Sequence, residues 1–202
     1  MKMTKVACFF LGLFAAAANA GIIYDNLGAG GDLYDHTIGY TIASGLDQGF
    51  QFTAGSTEYI TSVEVGMGVY DDVPPKSVEF SLYADNGSDN VGSLLETFSV
   101  SVTNLFSDAS DPLTTGILSG ATLLTVGMDY WLIAHSVDGT NVPWNDSLSA
   151  TGNRWVNGNV FNSDLAALRV YGDSNSVPEP ATLVLFGLGL AGVGFLRKKK
   201  TV

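Results

Sequence analysis

Through the middle of this chain, apolar and polar residues alternate with a period of two, the mark of half-buried β-strands. In "STEYITSVEVGMGVY" the positions Tyr59, Thr61, Val63, Val65 and Met67 fall on one side. In "KSVEFSLYAD" Val78, Phe80 and Leu82 face one way and Ser77, Glu79, Ser81 and Tyr83 the other. "GSLLETFSVSV" gives a further strand, and "MDYWLIAHSV" sets Tyr130, Leu132 and Ala134 opposite Trp131, Ile133 and His135. "LAALRVYGD" predicts the closing strand. Between them stand turn-forming clusters, "DDVPP", "DNGSDN", "SDASDP", "VDGT" and "TGN", rich in the residues that tolerate tight backbone geometry. No stretch of the middle has the 3.6 period of a long amphipathic helix. Many short strands with Gly- and Asp-rich turns predict an all-β body, an antiparallel β-sandwich of jelly-roll type.

The two ends read differently. Lys2 and Lys5, the apolar run Val6–Ala18 and the small residues Ala18 to Ala20 make the three parts of a secretory signal, so cleavage is expected between Ala20 and Gly21. The rear end carries sixteen uncharged residues, Ala181 to Leu196, followed at once by Arg197, Lys198, Lys199 and Lys200. As a helix that run reaches about 24 Å, short of a ~30 Å hydrocarbon core. Gly187, Gly189, Gly192 and Gly194 weaken it further. The abutting cations predict a cytoplasmic tail and place the body outside. Pro178 and Pro180 flank Glu179 just before the run, and prolines hold such a segment extended and stop the helix from propagating outward.

Charge and cysteine content narrow the classes. The formal net charge is −11, yet six of the nine cations sit in the two ends. Lys76, Arg154 and Arg169 alone face nineteen acids between Gly21 and Val177. Such a body repels phosphate backbones, so no nucleic-acid partner is expected. Cys8 lies inside the leader, so an exported body has no cysteine and no disulfide scaffold.

Order, spacing and terminal position of "VPEP", a short glycine-rich apolar helix and "RKKK" resemble a PEP-CTERM sorting signal, over Val177 to about Lys200. The resemblance implies an exported protein of Gram-negative bacteria that make extracellular polysaccharide. It also implies recognition at Pro178, Glu179 and Pro180 by an exosortase, an integral-membrane cysteine peptidase, with the apolar run as temporary anchor. Export by the Sec machinery goes with the leader. The expected division is a signal peptide (1–20), a β-sandwich (21–173), a linker with the Pro-Glu-Pro motif (174–180), a transmembrane sorting helix (181–196) and a basic tail (197–202). Stretches between Gly49 and Ser147, "GFQFTAGSTEYITSVEVGM" among them, are similar to choice-of-anchor domains of the R type, exported β-sandwich bodies with interchangeable sorting tails; Val91-Gly92 departs from their usual proline-glycine turn.

Candidate chemistry in the body is sparse. His36 and His135 are the only histidines; the first reads as a solvated loop residue beside Asp32 and Asp35, the second as a hydrogen-bonded strand residue. No G-x-S-x-G elbow is present, and no enzyme activity or cofactor is expected. Calcium is the one metal the loops suggest, at Asp85, Asn86 and Asp89 or at Asp25, Asp32 and Asp35, where hard oxygen ligands cluster; tight turns need the same residues. Trp144 and Trp155, with Asn145, Asp146, Asn153 and Arg154 beside them, suit either sugar stacking or packing, while Trp131 reads as core. The expected role is a non-catalytic component of the cell surface or of a polysaccharide (biofilm) matrix. The alternatives are a carbohydrate-binding adhesin and a hydrolase with two carboxylates facing one cleft.

Overall fold

The computed structural model describes residues 21–28, 30, 34–70, 73–107, 113–137, 139 and 141–174. The expected signal-cleavage residues Ala18 and Ala20, Asp32, the Pro178–Glu179–Pro180 motif, the apolar run and Arg197 to Lys200 lie outside them. Among the described residues no helix is long and apolar enough to cross a membrane.

Among the described residues twelve strands form two antiparallel sheets. The smaller holds β1 (Gly21–Asp25), β12 (Leu168–Asp173), β4 (Glu58–Val65) and β7 (Thr114–Ile117) in that order, with β8 (Leu123–Leu124) also paired to β4. The larger runs β11 (Asn159–Ala166), β10 (Val142–Val156), β3 (Gln48–Thr53), β9 (Asp129–Ser136), β5 (Lys76–Asp85) and β6 (Val91–Val102), with β2 (Tyr34–Ile42) on β10.

The core lies between the sheets, where the inward residues of each alternation meet. Val78, Phe80 and Leu82 of β5, with Leu132 of β9 and Phe50 of β3, pack toward Ile60, Val63 and Val65 of β4 and Val170 of β12. The alternation read for β5 and β9 holds. Trp131 and Ile133 are buried as well, although they point to the opposite face of β9 from Leu132. Opposite Ile133 the partner strand carries Gly49, where a Cβ would lie 2.7 Å from Ile133 Cγ1.

Two sequence expectations change. In β4 Ile60, not Tyr59 or Thr61, joins Val63 and Val65 in the core. Opposite β12, Ile60 pairs with Gly172 and Ser62 with Tyr171, so Thr61 is an extra residue and the parity of the strand flips there. "TGN", read as a turn, lies within β10; the chain reverses five residues later at Asn157-Gly158, with φ of 45° and 93°. Positive φ at both central residues is what a two-residue hairpin turn needs, and Asn-Gly supplies it.

Candidate acidic cavity and the surrounding surface

The pairing of β10 with β11 slips once. Asp146 sits opposite Ala166 and Thr151 opposite Asp164, so five steps along β10 match two along β11. Ser147 to Ala150 stand opposite Leu165 alone, so they cannot all lie flat in that ladder and they bulge to form the wall of a cavity of about 360 Å³. Asp146, Asp164 and Asp35 of β2 line it, together with Ser147, Ser149 and Thr151.

These carboxyl groups do not behave alike. Burial, then the nearby Asp164 and Asp35 charges, push the Asp146 pKa up to about 6 against the opposing pull of Arg154. Its Oδ1 is buried and accepts no hydrogen bond among the described residues. Asp35 is held below the usual carboxylate range, because the Thr37 hydroxyl and amide and the Ile38 amide all donate to its Oδ1. A carboxyl that keeps its proton up to about pH 6 thus shares a cavity with one that ionises below the usual carboxylate range. That arrangement suits proton exchange and hydrogen bonding to a neutral polyhydroxyl group.

Neighbouring groups brace the cavity. The Arg154 guanidinium lies 3.8 Å over the Tyr40 ring and donates twice to Gln48 Oε1, at 3.1 and 2.9 Å. Tyr40 Oη donates to the Asp164 carbonyl at 2.8 Å. Buried Asn145 donates from Nδ2 to the Asp35 carbonyl at 2.8 Å, fixing β2 against β10.

The tryptophans separate. Trp144 is fully buried, with its ring edge-on to Phe50 and Phe80 at 4.9 and 5.1 Å, and its Nε1 donates to the Ala167 carbonyl. It therefore has no face to offer a sugar, and its reading as a glycan contact is corrected. "VPWNDS" resembles a loop in composition, yet it is strand, and the Trp side of the pleat faces inward. Trp155 is half-buried, opposite Gly49 on one flank and Val160 on the other. From its neighbourhood a polar chain crosses the outer surface of the larger sheet: Asn153 donates to Gln51 at 2.7 Å, and Gln51 and Trp131 donate to Asp85 Oδ2 at 3.0 and 2.8 Å.

The same bonds define the calcium candidates. Asp85 Oδ1 accepts from the Gly87 amide at 2.6 Å, and Asp89 sits at a φ of 51°. Burial raises the Asp85 pKa, but hydrogen bonds from Trp131, Gly87 and Gln51 outweigh it and leave the carboxylate below its ordinary range. Its oxygens are thus occupied by donors of its own chain, the turn role. Asp25 is engaged too, by Arg169 at 3.1 Å. Among the described residues no three acids or histidines are arranged to hold a metal ion.

The histidines lie apart. His36 belongs to β2 rather than a loop, with its ring 4.3 Å from that of Tyr34. His135 pairs through Nδ1 with Asp47 at 3.0 Å. Asp164 escaped the sequence reading. It reaches Asp146 only because the β10–β11 register slips, and no local motif announces that.

Among known protein families, the PEP-CTERM protein-sorting motif matches residues 176–199. The matched residues lie wholly in the tail beyond β12 and carry no information about the body. No curated protein matches the chain.

Proposed function

We propose, from the PEP-CTERM sorting motif that this chain carries at 176–199, that the protein is a non-catalytic component of the cell surface or of the extracellular polysaccharide matrix. The motif makes it an exported, membrane-anchored precursor that an exosortase processes. The leader pattern of the first twenty residues supports export by the Sec machinery, and in this reading the acidic, two-sheet body is what remains after both ends are removed. The sorting motif is the observation that carries this reading.

Fractionation and intact-mass measurement test it. In cells with a working exosortase the mature protein is expected at the surface or in the matrix, lacking everything after the Pro178–Pro180 region. An unchanged C-terminus still embedded in the inner membrane of those cells overturns the processing.

A second reading, a glycan-binding adhesin, draws on the Asp146 cavity with its serine and threonine hydroxyls and on the partly exposed Trp155. Polysaccharide pull-down with Trp155→Ala and Asp146→Asn decides it. Retention lost in either variant supports binding, and retention unchanged in both removes it. New reducing ends in the recovered polysaccharide point instead to the hydrolase alternative, with Asp146 as its acid.

A further inference from the structure

Glu58 opens β4 in an unusual setting. Its carboxylate lies over the cross-strand pair Gly21–Gly172 of β1 and β12. A Cβ on Gly21 would meet both carboxylate oxygens at 2.6 Å, and one on Gly172 would meet Glu58 Oε2 at 3.0 Å. The two glycines therefore form a slot that the carboxylate fills and any side chain would close. Oε2 is buried and accepts no hydrogen bond among the described residues. An unpartnered buried carboxylate oxygen is costly, and the body has few cations to spare for it. Arg169 is held by Asp25 and Glu64, Arg154 by Gln48, and Lys76 opens β5 in the other sheet.

Gly21 is also the residue that leader removal would expose. Hydrolysis of the Ala20–Gly21 peptide bond consumes one water, leaves a carboxylate on Ala20 and turns the neutral Gly21 amide into an α-ammonium. That nitrogen is bonded to the α-carbon over which the carboxylate lies, so it sits within about 5 Å of both oxygens. We propose that Glu58 is a receptor for a primary ammonium, supplied by the chain's own processed N-terminus. The cut creates the cation that the slot lacks. The resulting pair spans β4 and β1 on either side of β12, so export locks the first strand into the smaller sheet.

The inference rests on the export reading and is tested so that the two fail separately. The protein is purified from exporting cells and its N-terminal peptide is identified by mass spectrometry. An N-terminus other than Gly21 removes the cleavage site and with it the cation. If Gly21 is the N-terminus, the rate at which an amine-acylating ester labels it is compared in the wild type and in Glu58→Gln. Labelling is expected to be about tenfold slower in the folded wild type than in the variant, with the two equal in urea. Glu58→Asp, which keeps the charge but withdraws it by one methylene, gives an intermediate rate and serves if the glutamine variant does not fold. Equal folded-state rates in wild type and variants overturn the receptor role while leaving export intact.

Discussion

Asp146→Asn isolates the electrostatics of the cavity. The wild-type carboxyl moves from an ordinary value of 3.8 to about 6 on folding, so between those values the native state keeps a proton that the unfolded chain releases. Stability must then fall as pH rises through this window, and above it the full penalty of an ionised Asp146 remains. Discounted by about half because the group keeps contact with water, that penalty is about 1.5 kcal/mol. Asparagine removes the ionisation but keeps the shape. Urea denaturation of both proteins from about pH 4 to about pH 7.5 measures the difference. The variant is expected to gain about 1.5 kcal/mol relative to wild type across this range, with nearly all of the gain accrued by pH 6.5. Asp164, Asp35 and Arg154 face the group in both proteins, so their own effects largely cancel. Parallel stability curves, or a wild type that strengthens relative to the variant as pH rises, would refute burial and like-charge crowding as the state of Asp146.

The two tryptophans should part company in the same assay: Trp144→Ala is expected to cost about 3–5 kcal/mol through the cavity it leaves, and Trp155→Ala less than about 1 kcal/mol. Equal losses would contradict their different burial. Asn26→Ala removes the side chain that donates to the Ala166 carbonyl and accepts from the Leu168 amide; with two buried backbone groups left unpaired, about 2–3 kcal/mol should go, and a loss below about 0.5 kcal/mol would mean water replaces the amide.

What the sequence disclosed, it disclosed through local order. Val78, Phe80 and Leu82 alternate cleanly because β5 has antiparallel neighbours on both sides and one face on the core. The sorting motif was legible for a related reason, since its residues act in linear succession and need no tertiary partner. Thr61 was not legible as a bulge, because the parity of β4 is set by its register against β12, more than a hundred residues away. Trp144 was obscured by turn-forming neighbours, and its orientation follows only from pairing with β2. The cavity is harder still to foresee: it exists because two strands pair out of step, bringing together Asp35, Asp146 and Asp164 from three separate segments.

β12 is the last strand before the sorting motif, and it is hydrogen-bonded to β1 on one flank and β4 on the other. A pull from the C-terminal side therefore enters the body along a strand gripped from both edges. To extract it, tension must shear two ladders together, whereas an edge strand would peel away rung by rung. A globule hung by such a strand can be dragged through a viscous medium, or held against flow, with its interior left undisturbed.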